Sequence, residues 1–404
     1  MKLAYWGLIP LLVSGVLTAL PAERAAAQQA AAAKTIKIVS SLPRTGSAKQ
    51  QTDTIVNGIK MALAEAGNKA AGFKIEYLDL DDATATAGQW TAEQESANAR
   101  RAANDPDVMV YIGTYNSGAA KIAMPILNKA SLLMISPANT AVELTKGTKT
   151  ELAGYRPTGK ITYTRVVPAD DLQGPLAADW AKEMGVERVY VLDDTQTYGR
   201  GIALLFADRA SEIGIEVLGH ESIDDKAPEF KSLMTTIKGL DPDLVYFGGT
   251  TQTKAGQIAK DMVATGLDAK LMVPDGCYEE AFIASAGASN LNGRCFITFG
   301  GLPPQKLKGA GKKFVDQYKK KYKSMPEAYA IYGYECAKVA LAAINKAKKK
   351  DRAAIVKAAL AIKDFDGALG KWSFDANGDT TLTLLSGNTV KNGKFEFVRI
   401  LGQE

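Results

Sequence analysis

Two hydroxyl-bearing turns lie close together in the chain: Tyr115-Asn116-Ser117-Gly118 and Ser136-Pro137-Ala138-Asn139-Thr140. Each follows a short apolar run and leads toward helical periodicity. The Ser117 and Thr140 hydroxyls, with the backbone N–H groups of Ala138 and Thr140, suit a carboxylate without needing a buried arginine. Free N–H groups and the dipole at a helix N-terminus favour an anion in the same place. Taken singly, each hydroxyl is equally a helix cap; two such turns on successive strands of one sheet favour the anion site. Catalytic chemistry finds little support. The only histidine, His220, sits in an alternating strand and faces the surface. The chain shows no Ser-His-Asp arrangement with a plausible local context, no Cys/His metal spacing, no GxxxxGK[ST] and no GxGxxG after the first strand. Ligand capture without catalysis, metal or cofactor is the chemistry that remains.

The elements that must position these turns follow from periodicity. A β-branched run at 34–42 ends at the turn signal Pro43 to Gly46, and Ile55, Val56, Ile59, Leu63 and Ala66 then share one helical face. FKIEYLDLDD reads as a strand, and a polar helix follows over about 86–104. Strand 108–112, helix 118–129, strand 131–135 and a helix near 140 continue the alternation. That order predicts an α/β fold with a parallel-rich sheet flanked by helices, whose ligands bind at the strand C-terminal ends. Pro125 falls inside the helix 118–129, where it removes a backbone bond and predicts a kink or an early break.

After Val166-Val167-Pro168 the alternation starts again, with helix 175–184, strand 187–194, helix 201–213, a strand in IEVLGHESI and helix 230–238. DPDLVYFGGT at 241–250 echoes DPDVMVYIGT at 105–114, each a strand running into a Gly/Thr turn. Two similarly built Rossmann-like lobes are expected. No low-complexity linker separates them, so short crossing strands should join them. The β-rich tail carries turns at Asn377-Gly378 and Asn392-Gly393.

A chain of 404 residues exceeds one ordinary core, and 23% charged with 46% hydrophobic residues is ordinary soluble composition. Residues 1–27 read as a secretory signal peptide: Lys2, an apolar run from Leu3 to Leu20, and Ala25-Ala26-Ala27 before cleavage. No cysteine lies near that point, which argues against a lipid anchor. The Lys runs at 318–323 and 346–350 lie toward helix ends, where cations complement the dipole, so a nucleic-acid partner is not expected. Cys277 and Cys295 each border a turn or strand, while Cys336 lies in an apolar helix. A Cys277–Cys295 disulfide with Cys336 buried is the expectation, and three separate buried thiols the alternative.

LLMISPANTAVELT, with YIGTYNSG before it, TQTYGRG at 195–201, VYFGGT at 245–250 and VPDG at 273–276, is similar to periplasmic binding proteins of the branched-chain amino acid (leucine/isoleucine/valine) type that serve ABC transporters. The resemblance covers essentially the whole mature chain in motif order. It implies the type I periplasmic binding fold, with two lobes closing on a ligand about a three-strand hinge, one from 34–168 plus 301–385 and the other from 169–300 plus 386–404. The family's carboxylate-binding positions match Ser117, Ala138 and Thr140. Its ammonium partner matches Asp275, in place of a longer Glu, and further cleft positions match Gln51, Asp170, Tyr198 and Thr250. At Gln51 and Thr250 the branched-chain binders carry aromatic residues, so the pocket should be roomier and more polar here. The family's first-lobe cysteine pair is missing, with Ala83 and Asn116 near the matching positions. The resemblance therefore implies a monomeric, extracytoplasmic receptor without cofactor. It would pass an amino acid or related zwitterion, amide or organic acid to ABC transporter permease subunits. A ligand sensor of the same fold, docking on a signalling receptor, is the alternative.

Overall fold

The computed structural model describes residues 1–2 and 34–402. The expected leader beyond its first two residues, and its cleavage after Ala27, lie outside the described residues.

Two separate sheets organise the chain. The first contains β1 (Thr35–Leu42), β2 (Lys69–Ala70), β3 (Phe73–Asp81), β4 (Val108–Gly113), β5 (Leu133–Ser136) and β6 (Tyr163–Arg165), in the order β2-β3-β1-β4-β5-β6. All its pairings are parallel except that of the short β2 with β3. Every residue of β4 is buried, as a central parallel strand covered on both faces requires. The register sets Ile38 beside Val110 and Val110 beside Leu133. The turns after β4 and β5 therefore emerge side by side at one edge.

The second sheet repeats the plan with β7 (Arg188–Asp193), β8 (Glu216–Ser222), β9 (Leu244–Gly248), β10 (Lys270–Val273) and β11 (Cys295–Gly300). A small hairpin, β12 (Phe365–Gly367) with β13 (Gly370–Trp372), stands apart, and β14 (Leu385–Lys391) and β15 (Lys394–Leu401) complete the second sheet in the order β15-β14-β11-β10-β9-β7-β8. Asn392 and Gly393 both take positive φ in the two-residue turn between β14 and β15, as the Asn-Gly pair predicts. The echoed segments are β4 and β9, each central in its own sheet.

The chain passes between the sheets after Arg165, after Gly300 and again before Leu385. The middle passage carries helix Ala330–Ala347 back onto helix Lys49–Glu65 of the first sheet. Their crossing is close because glycine stands at both contacts. A Cβ on Gly58 would lie 2.2 Å from the Ala330 carbonyl oxygen, and one on Gly333 would lie 2.4 Å from the Ile55 oxygen. This packing fixes Tyr329, the residue just before the later helix, near the mouth of the first sheet.

Three expectations are corrected. Helix Ser117–Lys129 runs unbroken through Pro125. Its buried Ala119, Ala120, Ala123, Met124 and Leu127 hold it, and Lys121, whose carbonyl loses its donor, shares the half-exposed face with Pro125. The helix expected near 140 begins at Glu143 and lasts one turn, to Lys146, so the turn at 138–140 is a loop rather than a helix entrance. The expected Cys277–Cys295 bridge is absent: both are free, buried thiols, as is Cys336. Cys295 pairs with Leu271 at the start of β10, whereas Cys277 lies beyond the end of β10 with its Sγ 3.7 Å from the Gly249 carbonyl, on the β9 side. A disulfide needs a specific close approach of the two Cβ atoms, and these two thiols stand unbonded.

Candidate functional site

The turns after β4 and β5 face the turns after β9 and β10. Ser117, Ala138, Tyr198, Thr250 and Asp275 line one narrow cavity of about 20 Å3, together with Tyr115, Asn116, Gly276 and Tyr329. Thr140, Asp170 and Gln51 stand behind this lining and are equally buried.

On the first-sheet side, Ser117 is the first residue of helix Ser117–Lys129, whose cap position is Asn116. Its hydroxyl accepts from the Ala141 amide at 3.4 Å, so it is not an N-terminal cap. The Ser136 hydroxyl gathers the loop by accepting from the amides of Ala138 (3.1 Å) and Asn139 (2.8 Å) and donating to the Thr114 carbonyl. The Ala138 N–H is thus already engaged, while Thr140 Oγ1 is buried with no hydrogen-bond partner among the described residues. Beneath the loop, the fully buried Arg165 donates to the carbonyls of Asn139 (3.3 Å) and Ala141 (2.8 Å), on either side of Thr140, and to Asp379 at 2.7 Å. A guanidinium that satisfies backbone carbonyls and a carboxylate at once is the pairing a buried charge requires.

On the second-sheet side, Asp275 is the acidic pole. Its Oδ1 accepts from the Tyr198 hydroxyl at 2.6 Å and from Gln173 Nε2 at 2.8 Å, and its Oδ2 accepts from the Tyr329 hydroxyl. Tyr198 in turn accepts from the Gly276 amide at 3.1 Å. Gly276 cannot carry a side chain, since a Cβ would lie 2.8 Å from Thr250 Cγ2 and 3.0 Å from the Tyr198 ring. Burial raises the Asp275 pKa, opposed by the three donors. An ionised carboxylate offers about four acceptor positions, of which three are used.

Asp170 opens helix Asp170–Glu183, whose cap is Ala169, so it does not serve as a cap. Both its oxygens are buried without a hydrogen-bond partner among the described residues. Burial, and next the charge of Asp275, push its pKa well above the carboxylate range, and the neighbouring Thr140 hydroxyl tempers this without reaching bonding geometry. Gln51 is a clasp, donating to the Tyr278 carbonyl at 3.2 Å and accepting from the Tyr329 amide at 3.4 Å. It closes space rather than opening it. Thr250 starts a short turn in which its amide donates to Thr253 Oγ1 at 2.9 Å.

Tyr329 and Gln173 escaped the sequence reading. Gln173 follows Asp170 by three positions on one helix, so it shares that residue's face, a spacing that was available as a signal. Tyr329 comes from chain far beyond both sheets' central strands and had none. Across the cleft, Asn116 Nδ2 donates to Gln252 Oε1 at 3.0 Å and Trp90 Nε1 to Gln196 Oε1 at 3.3 Å. The two sheets thus meet through polar side chains at their rims.

A family model described as periplasmic binding protein matches residues 35–390. The chain belongs to this family. The periplasmic binding protein described here is 29% identical over 86% of its length to the leucine-, isoleucine-, valine-, threonine- and alanine-binding protein of Pseudomonas aeruginosa, covering 88% of that protein. It is 28% identical to the Leu/Ile/Val-binding protein of Escherichia coli, over 86% of this chain and 89% of that one. Among solved structures, the leucine binding protein LivK of Thermotoga maritima superposes with a TM-score of 0.81 at 26% identity, covering 91% of this chain and 99% of that one. These relatives are named as binding proteins, and the chain described here is a binding protein and not an enzyme.

Proposed function

We propose that the protein is an extracytoplasmic solute receptor of an ABC importer, capturing an amino acid or related zwitterion between two lobes and presenting it to a permease. The observation that carries this reading is that Asp275, held by Tyr198, Gln173 and Tyr329, shares one narrow cavity with Ser117 and Ala138 of the other sheet. In this reading the Ser117 and Thr140 hydroxyls with the Thr140 backbone N–H hold the ligand carboxylate, and the free acceptor position of Asp275 takes its ammonium. Each ligand charge must find a partner once water is excluded. The two partners sit on opposite sheets, so binding favours the closed arrangement, a population shift rather than a pull. The lobes comprise 34–168 plus 301–385 and 169–300 plus 386–404, and the three passages between sheets act as the hinge. The relatives named for leucine, isoleucine and valine support an amino acid as ligand.

The test is a thermal-shift screen of the purified protein with amino acids, amides and small organic acids. A ligand that binds only the folded state raises apparent stability by mass action. Shifts confined to zwitterions support the reading, and shifts confined to simple acids or neutral amides contradict it.

A further inference from the structure

A loop crosses from the first sheet to the second at the rim of the cleft. Residues 83–91 connect β3 to helix Ala92–Asn104 and fold back on themselves, so that Ala83 pairs with Trp90 and the Gly88 amide donates to the Thr84 carbonyl at 2.9 Å. The loop belongs to the first sheet, but its side chains bond to the second. Trp90 Nε1 donates to Gln196 Oε1 at 3.3 Å, Gln196 Nε2 donates back to Gln89 Oε1 at 3.2 Å, and Gln89 Nε2 donates to Asp225 Oδ2 at 3.2 Å. Both ends of this series are anchored beside the site. The Trp90 ring lies on Gly118, where a Cβ would stand 2.6 Å from its Cζ2, and Gly118 directly follows Ser117. Gln196 holds the cap position of helix Thr197–Glu212, which carries Tyr198. Its amide donates to Asp194 Oδ1 at 3.0 Å, and Asp194 Oδ2 accepts from Thr253 Oγ1 at 2.7 Å, which ties Gln196 to the turn that presents Thr250.

Neither Trp90 nor Gln196 is among the residues that line the cavity. Their bonds join two sheets that must separate for a ligand to enter or leave. Bonds that form only on closure leave the encounter step alone, yet they must break before release. We propose that the loop 83–91 is a strap across the cleft, with Trp90 and Gln196 as positioning residues that retain the ligand by slowing its release. The strap acts on whatever the site holds, because it engages the two walls and not the ligand. The inference rests on the proposed amino-acid receptor reading.

The test uses the full mature chain and the standard L-amino acids, each in turn. Dissociation is read by chasing the bound, isotope-labelled amino acid with unlabelled compound, and Kd by calorimetry; their ratio gives the association rate. Trp90→Phe removes the indole donor, and Gln196→Ala removes both of that residue's side-chain crossings. Each should speed dissociation about threefold or more, as the loss of a neutral hydrogen bond gives, with the association rate unchanged. The double variant should match Gln196→Ala alone, because the bond from Trp90 is already gone. A merely structural role would lower the melting temperature without separating the two rates. Unchanged dissociation in both single variants, association and dissociation shifting together, or effects that simply multiply in the double variant overturn the inference and leave the receptor standing. No binding of any standard amino acid overturns both.

Discussion

The Tyr329 hydroxyl, carried by chain packed on the first sheet, donates to the Asp275 carboxylate in the turn after β10 of the second. Its ring stands edge-on to Tyr115 at 5.9 Å and to Phe299 at 5.4 Å, so the hydroxyl is aimed by packing on both sides. One bond therefore couples the acidic pole of the site to the contact between the two sheets. Anything that alters charge at Asp275 acts on both.

Asp275→Ala should weaken zwitterion binding by about 2 to 5 kcal/mol, the cost of leaving a buried ligand ammonium unpaired. Tyr329→Phe keeps the ring and removes one donor to a charged group, so its loss should be smaller, about 1.5 to 3 kcal/mol. Titration calorimetry of both variants checks the order. Unchanged affinity in Asp275→Ala removes it from the site.

Arg165→Met should destabilise the fold by about 3 to 5 kcal/mol, because Asp379 is left buried without its guanidinium and the carbonyls of Asn139 and Ala141 lose their donors. The urea midpoint reads the loss. Since those carbonyls flank Thr140, ligand affinity should fall as well in whatever fraction stays folded.

Stability should fall as pH rises from about 5 to about 8. Burial pushes Glu279 up to about 8 and Glu327 and Asp194 up to about 7. Between the ordinary carboxylate value and these raised values, the folded chain binds more protons than the unfolded one, so each group contributes a negative slope of up to about 1.4 kcal/mol per pH unit. Glu151 and Asp107 are shifted down by hydrogen bonds from Thr148 and Lys350, and stabilise the fold above their ordinary values, so their contribution is lost only in more acidic solution. Melting temperatures at about pH 5.5, 7 and 8.5 should decline in that order, and the decline should be shallower in Glu279→Gln. A melting temperature that climbs through this range contradicts the burial of these acids.

Reductant should leave the melting temperature unchanged, because Cys277, Cys295 and Cys336 are separate thiols. Burial raises the pKa of all three, so alkylation should be slow in the native protein and complete once it is unfolded. A non-reduced digest containing a Cys277–Cys295 peptide overturns the assignment.

The architecture was legible where local pattern and tertiary role coincide. The strand alternation and the echo of 105–114 in 241–250 reported two sheets because β4 and β9 are each buried on both faces, which writes continuous apolar runs into the chain. Ser117 and Ala138 were legible as members of turns that follow apolar strands, whereas Tyr198 and Asp275 came from the family resemblance; the structure brings the four to one cavity. The burial of Glu279 was not legible, since Glu279-Glu280 reads as a surface pair and only the fold buries the first of them. Tyr329 depends on the glycine-mediated helix crossing at Gly58 and Gly333. Gln51 appeared to enlarge the pocket by replacing an aromatic ring, whereas its two hydrogen bonds spend it as a clasp. Pro125 misled because the penalty for a lost backbone bond is largest only where solvent cannot replace it.

The central claim is that one ligand carries both a carboxylate for the first sheet and an ammonium for the second. It is tested most directly by titrating the protein with the tightest amino acid from the thermal-shift screen, and then with that compound's carboxamide and its N-acetyl derivative. The account predicts that removing either charge lowers affinity at least about a hundredfold, near 2.7 kcal/mol. Equal affinity for the amino acid and either derivative would contradict it.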